Sequence, residues 1–156
     1  MSANDPVADI SVTRAIGCLM PDDQELRRNW RTRWLSRIQE FADDETQRRL
    51  WLDSKNTNPH SSFVEYFCCY FDDLNLSDGG YDWALSEGMV SADEVRAVAE
   101  FHRTADAYDS PTDDYDHQAI LADSKWTDVV AAAKRAQDAL SQLIDDANER
   151  RLLLEP

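Results

Sequence analysis

The chain has 156 residues, of which 42% are hydrophobic and 30% charged, and its formal net charge is −15. A single domain of this length can bury a sizeable core, while only 4 glycines and 5 prolines leave little room for the tight turns of a small all-β fold. The negative charge argues against nucleic acid or an anionic membrane as a partner and favours basic proteins or cations. The 3 cysteines do not make a disulfide framework, which favours a reduced, cytoplasmic protein.

The N-terminal sequence MSANDPVADISV lacks the basic region and the apolar run of a signal peptide. No window of the chain approaches the roughly 20 apolar residues of a membrane span. Residues 1–9 are predicted to be a flexible arm, and ISVTRAIGCLM at 10–20 favours a short helix over an extended segment. We expect a single helical domain over 10–150 and a tail at 151–156, whose leucine triplet either frays or docks.

The first long helix is predicted to have Pro21 in its first turn, followed by acids that favour a helix N-terminus. One apolar stripe recurs at helical spacing in Leu26, Trp30, Trp34, Ile38 and Phe41. The other faces of this helix carry Arg27, Arg28, Arg31, Arg33 and Arg37. These arginines predict a solvated basic face, and the alternatives are an anion-binding surface or neutralisation by acids elsewhere in the chain.

A second helix is predicted over 42–54 and a loop over 55–62, where Asn, Pro and Ser favour turns. FVEYFCCYFDDLNL at 63–76 then predicts a broadly apolar, largely buried helix that contains Cys68 and Cys69. Neighbouring side chains point about 100° apart around a helix. Because neither a C-x-x-C pattern nor a histidine at ligand spacing accompanies these cysteines, buried thiols are favoured over a zinc site.

The acidic stretch that follows was compared with a calcium-binding EF-hand loop, which needs oxygen ligands at positions 1, 3 and 5, glycine at 6 and glutamate at 12. A loop starting at Asp73 places aspartate at position 6 and alanine at position 12. A loop starting at Asn75 places serine at position 12. Both registers fail, so we expect a Gly-Gly turn and a short helical piece that ends near Gly88.

The segment 91–108 opens with Ser91 and Glu94 at the spacing of a capping box. His102 and Asp106 lie four residues apart, a spacing that suits a metal or a proton transfer. No third ligand or nucleophile is near them in sequence, so a surface hydrogen bond or ion pair is favoured. The residues predicted to face the core are Val95, Val98, Phe101, Ala105 and Tyr108.

The remaining chain is predicted as an acidic loop over 109–117, a short helix QAILAD, and a last long helix capped by Ser124. The apolar stripe of that last helix contains Trp126, Val129, Val130, Ala133, Ala136, Leu140, Leu143 and Ile144. Together these elements predict an all-α, single-domain bundle of about five to seven helices.

The chain carries no Gly-rich phosphate loop, no G-x-S-x-G and no H-E-x-x-H, so no catalytic residue, cofactor or metal ligand is predicted from a motif. The stretches DDETQRRLW at 43–51, FVEYFCCYFDDLNL at 63–76 and ILADSKWTDVVAAAKRAQDAL at 120–140 resemble a group of small acidic, helical bacterial proteins, many of them actinobacterial. In size and acidity the chain is also similar to immunity proteins of contact-dependent and polymorphic toxin systems. This resemblance assigns no functional residue.

The resemblance and the charge together lead us to expect a non-enzymatic, immunity-type protein that binds a cognate, basic toxin domain and neither nucleic acid nor membrane. The alternatives are a small enzyme or metal-dependent regulator that uses His102, Asp106 and the acidic loops, and an oligomeric scaffold whose Trp-rich stripes pack between subunits. The oligomeric state is not fixed by the sequence. The predicted partner-binding residues are Asp72, Asp73, Asp78, Tyr81, Asp82, Trp83, Asp109, Asp113, Asp114, Tyr115 and Asp116.

Overall fold

The computed structural model describes residues 22–58 and 60–156, so the predicted arm at 1–9 and the helix at 10–20 lie outside the described residues. The described residues are all-helical and contain no strand, as expected, but the eight α-helices slightly exceed the predicted range. None of these helices is long and apolar enough to cross a membrane. The helices are α1 (Asp23–Ala42), α2 (Asp44–Trp51), α3 (Phe63–Phe67), α4 (Asp82–Ser86), α5 (Ala92–Asp106), α6 (His117–Ala122), α7 (Ser124–Leu143) and α8 (Ala147–Leu154).

Side-chain caps determine where most of these helices begin. The capping box of α5 is confirmed, because the Ser91 and Glu94 side chains each accept a hydrogen bond from the other residue's backbone N–H. Helix α1 begins after Asp22, whose carboxylate accepts from the Glu25 N–H at 2.7 Å, and the predicted first-turn residue Pro21 lies outside the described residues. The cap of α7 is Asp123 rather than the predicted serine, which becomes the first helical residue.

Helices α1, α5 and α7 surround the centre of the core, where Phe41 contacts five other aromatic rings. The nearest of these rings belongs to Phe101, with centroids 5.2 Å apart. Edge-to-face pairs of this kind stabilise a core beyond the area they bury. The predicted stripe of α1 is confirmed for Trp30 through Phe41, but Leu26 was wrongly predicted as core because it is 46% exposed. Leu143 of α7 was likewise predicted as core and is exposed.

The prediction of a solvated basic face on α1 was wrong for Arg31, which is buried between α5 and α8. All five of its N–H donors have acceptors. The guanidinium makes two hydrogen bonds to Glu94, two to Glu149 and one to the carbonyl of Met89. Burial opposes the charged form, but the bonds to Glu94 and Glu149 hold the pKa of Arg31 above its ordinary value. We call Arg31, Glu94 and Glu149 the buried ion cluster.

The helix predicted over 63–76 changes its winding halfway. Helix α3 continues directly into a π-helical segment, Cys68–Asp72, in which the Asp73 N–H donates to the Cys68 carbonyl at 3.0 Å. The cysteines are half-buried here, so the prediction of buried thiols was wrong. Residues 151–154 of the expected tail belong instead to α8, where the leucine triplet docks through the fully buried Leu153.

Candidate partner-binding surface

Two exposed loops carry most of the predicted contact residues. What we call the first acidic loop comprises residues 72–82, from the last residue of the π-helical segment to the first residue of α4, and the second acidic loop comprises residues 109–116. In the described part of the chain, none of their carboxylates forms an ion pair with a basic side chain, whereas Asp93 pairs with Arg96 and Glu100 with Arg135. Eight exposed carboxylates therefore carry uncompensated charge: Asp72, Asp73, Asp78, Asp82, Asp109, Asp113, Asp114 and Asp116.

The first acidic loop is anchored to the core by two leucines. Leu74 and Leu76 are fully buried on either side of Asn75, which has a positive φ of 58°. The Trp30 Nε1–H donates to the Leu74 carbonyl at 3.1 Å, and the Leu76 N–H donates to the Phe71 carbonyl at 2.8 Å. With the backbone fixed in this way, the aspartates before and after the leucines stay in solvent.

A glycine turn within the first acidic loop lies close to helix α5. Gly80 has a φ of 58°, and a Cβ atom there would lie 3.5 Å from the Nε2 of His102. That distance is an ordinary van der Waals contact, so glycine is favoured here by the positive φ rather than by lack of space. The second acidic loop starts three residues beyond the end of the same helix at Asp106. The C-terminal half of α5 thus links the two loops.

The second acidic loop orients its own carboxylates. Asp114 accepts a hydrogen bond from the Ser110 Oγ at 2.6 Å, and Asp116 accepts one from the Thr112 Oγ1 at 2.9 Å. Asp116 is also the N-cap of α6. These bonds come from neutral donors, so the loop is ordered while its negative charge is retained.

The three predicted aromatic contacts differ in exposure. Tyr115 is 72% exposed, and its backbone N–H donates a hydrogen bond to the Asp113 carboxylate at 2.7 Å. Trp83 is half-buried, with its ring 6.4 Å from that of Trp30. Tyr81 is only 6% exposed, so its assignment to the surface was wrong. The aromatic that follows the Gly-Gly turn points into the core because the turn is packed against α5.

The hydroxyl of Tyr81 belongs to a buried chain of hydrogen bonds. The Trp34 Nε1–H donates to the Tyr81 hydroxyl at 2.8 Å, the two tyrosine hydroxyls are 2.6 Å apart, and the Tyr70 hydroxyl lies 3.0 Å from the His102 Nδ1. If Tyr81 donates to Tyr70 and Tyr70 donates to Nδ1, every hydroxyl proton has an acceptor. This network assigns His102 as the neutral tautomer with its proton on Nε2.

His102 therefore forms a structural hydrogen bond with Tyr70 rather than the predicted surface hydrogen bond or ion pair with Asp106. Burial lowers the pKa of His102, and the nearby Asp106 carboxylate opposes that shift. Among the described residues, His102 and Asp106 share no hydrogen bond and belong to no cluster of three potential metal ligands. The geometry likewise does not favour the alternative metal or proton-transfer role for this pair.

Two grooves lie between α1, α2 and α8, with volumes of about 450 and 490 Å³. Their walls mix both signs of charge, with Arg37 and Glu40 in one groove and Arg49 and Glu45 in the other. Such a mixture is less selective for a basic partner than the uniformly acidic loops.

No protein-family model matches the chain, and comparisons with curated proteins and with solved structures likewise find no match.

Proposed function

We propose that this protein is an immunity-type inhibitor that binds a cognate, basic bacterial toxin domain through its two acidic loops. The observation that carries the proposal is the uncompensated charge of the eight exposed loop carboxylates. The sequence resemblance to immunity proteins supports the same assignment. The proposal gives no chemical step to this chain.

The charge pattern suits inhibition of a nuclease. A nuclease must present cations to the phosphates of its substrate, and carboxylates placed opposite those cations block the same site. Long-range attraction between an acidic and a basic surface also raises the association rate, which matters when the target is lethal. Binding through such a surface should weaken as salt increases.

Affinity requires more than charge, because a few large side chains usually carry most of the binding energy at an interface. Tyr115 is the best placed of the predicted aromatics, since it is largely exposed and lies between Asp114 and Asp116 of the second acidic loop. Trp83 adds a half-buried ring next to the first acidic loop. In this proposal Tyr115 inserts into the partner, and the surrounding aspartates orient it.

The scaffold alternative gains no support from the tryptophan stripes. Trp30, Trp34, Trp51 and Trp126 are each at most 6% exposed within the described chain. They pack against the protein's own core, so they are not free to pack between subunits.

The proposal is tested by co-expressing the protein with the product of the neighbouring gene. Growth rescue and co-purification are scored together, at low and at high salt. We expect rescue and a complex that weakens as salt increases. A neighbour that is harmless, or that never associates with the chain, would contradict the proposal.

The binding surface is located with two double variants that remove the same charge. D113N/D114N acts in the second acidic loop. D138N/D145N acts near the far end of α7, where Asp138 lies about 20 Å along the helix from its first residue. We expect the loop variant to weaken the complex and the control to leave it intact. Equal effects would show that net charge matters and the loop does not.

A further inference from the structure

A histidine, a glutamate and a cysteine meet at the start of α3. The Nδ1 of His60, a carboxylate oxygen of Glu65 and the Sγ of Cys69 all lie within 4.8 Å of one another. The His60 Nδ1 lies 3.8 Å from the Glu65 Oε2. Among the described residues, this is the single group of three such side chains that converges in this way.

Local structure brings these side chains together. Glu65 and Cys69 are four residues apart along α3 and the π-helical segment, which places them on one face. Ser62 caps the helix by accepting from the Glu65 N–H at 3.1 Å. Asn58 accepts from the His60 N–H at 3.0 Å and turns the preceding loop back towards that face.

We propose that His60, Glu65 and Cys69 bind a Zn²⁺ ion. Thiolate, imidazole and carboxylate are all established zinc ligands, and the thiolate disfavours the harder ions Mg²⁺ and Ca²⁺. Zinc–ligand bonds of about 2.0–2.3 Å place tetrahedral ligand atoms about 3.3–3.8 Å apart. The donor atoms at the present site therefore need to approach one another by at most about 1.5 Å, which side-chain rotations can supply.

The charges at the site balance around such an ion. Cys69 binds as the thiolate, and its proton passes to solvent. The thiolate and the Glu65 carboxylate then neutralise the two positive charges of the metal. Arg37 also lies near the site, but its Nη2 pairs with the Glu40 carboxylate at 2.9 Å, so this pair adds no net charge.

The surroundings of the three side chains leave access to the metal. His60 and Cys69 line a groove of about 470 Å³ whose other walls include Asn58, Ser61 and Tyr66. A fourth ligand, water or a group from another molecule, can enter from this groove. Cys69 also lies in the π-helical segment, a feature that occurs frequently at functional sites.

Binding at this site must compete with protons. Burial raises the pKa of the Cys69 thiol, and Arg37 partly opposes that shift. Zinc affinity should therefore fall as the pH is lowered, because the Cys69 thiol must lose its proton to bind the metal.

The cysteine pair offers a matched control for the test. Co²⁺ is titrated into the full chain, and the near-ultraviolet charge-transfer band of a cobalt–thiolate bond is recorded; Zn²⁺ is then added to displace it. We expect one ion per chain and a band that C69S removes but C68S retains. C18S is included because Cys18 lies outside the described residues, and it should also retain the band.

The H60A variant extends the test at an exposed position, where the side chain is 73% exposed and its loss should leave the fold intact. Loss of a second-shell partner alone costs about 10–100-fold in metal affinity, so H60A should weaken Zn²⁺ binding at least about tenfold. Circular dichroism verifies that each variant is folded. The proposal fails if the parent chain gives no band, if C69S keeps it, or if C68S loses it equally. It does not depend on the proposed toxin partner.

Discussion

The buried ion cluster and the two acidic loops use carboxylates in opposite ways. In the cluster, Glu94 and Glu149 surround one guanidinium whose five donors are all satisfied. In the loops, eight carboxylates lie in water without a basic partner in the described chain. The comparison shows that the acidic residues behind the net charge of −15 fall into different environments. Part of the acidity holds α1, α5 and α8 together, and part lies in solvent without a basic partner in the described chain.

The largest effect should come from removing the centre of the buried ion cluster. Arg31→Met leaves Glu94 and Glu149 without their shared cation, and breaking a buried ion pair in this way costs about 3–5 kcal/mol. Urea denaturation measures the free energy of unfolding, with R33M on the same helix as the exposed control. If the two variants were equally stable, the cluster would have no special role.

A smaller loss is expected from the neutral network beside the first acidic loop. Tyr81→Phe removes the hydroxyl that accepts from Trp34 and bonds to Tyr70. Leaving buried polar groups unpaired costs about 1–3 kcal/mol. Tyr115→Phe is the matched control because that side chain is largely exposed and should tolerate the change. An unchanged urea midpoint in Y81F would argue against the hydrogen-bond chain.

The same network makes a pH-dependent contribution through His102. Burial lowers the pKa of His102 below its ordinary value of 6.5, so below that pH the unfolded chain binds this proton more readily than the folded chain. Stability should therefore fall as the pH drops from about 6.5 towards the folded-state pKa of His102. Below that folded-state pKa, His102 causes no further loss of stability. The other polar groups near the imidazole are the Tyr70 and Tyr81 hydroxyls and the Asp106 carboxylate.

This pH dependence is measured by urea denaturation of H102Q and of H60Q between about pH 7.5 and 5.5, with a chelator present. H102Q should flatten the decline, while H60Q, changed at an exposed histidine, should keep it. A slope that is identical in H102Q and the parent chain would assign the effect to other groups.

The smallest effect on stability is expected in the acidic loops themselves. D113N/D114N removes two exposed charges that have no basic partner, so it should not destabilise the fold. It should slightly raise the melting temperature at low salt by reducing repulsion, and the gain should disappear at high salt. A clear loss of stability would contradict this prediction and show that these carboxylates stabilise the fold, as those of the buried ion cluster do.

Local patterns in the sequence predicted much of the fold. The apolar stripes from Trp30 to Phe41 and along α7 follow helical periodicity, and the Ser91 capping box follows a fixed spacing. Both patterns act between residues that are close in the chain. The predicted exposure of the loop aspartates also needed only composition and turn residues.

The features that were missed depend on contacts between distant residues or on a local change in winding. Arg31 meets Glu94 and Glu149 across 63 and 118 positions, and no spacing rule links them. His60 reaches Cys69 only because the loop before α3 folds back on the helix. The burial of Tyr81 follows from the approach of the glycine turn to His102, which no local pattern encodes.

The length of chain that separates Arg31 from Glu149 has a consequence for synthesis on the ribosome. At about 5–20 residues per second, the 118 intervening positions take roughly 6–24 s to translate. During that interval Glu94 is synthesised well before Glu149, so for a time only one of the two carboxylates that bind the Arg31 guanidinium is present in the nascent chain. The buried ion cluster can therefore be completed only after α8 emerges from the ribosome, so docking of α8 is a late step in co-translational folding.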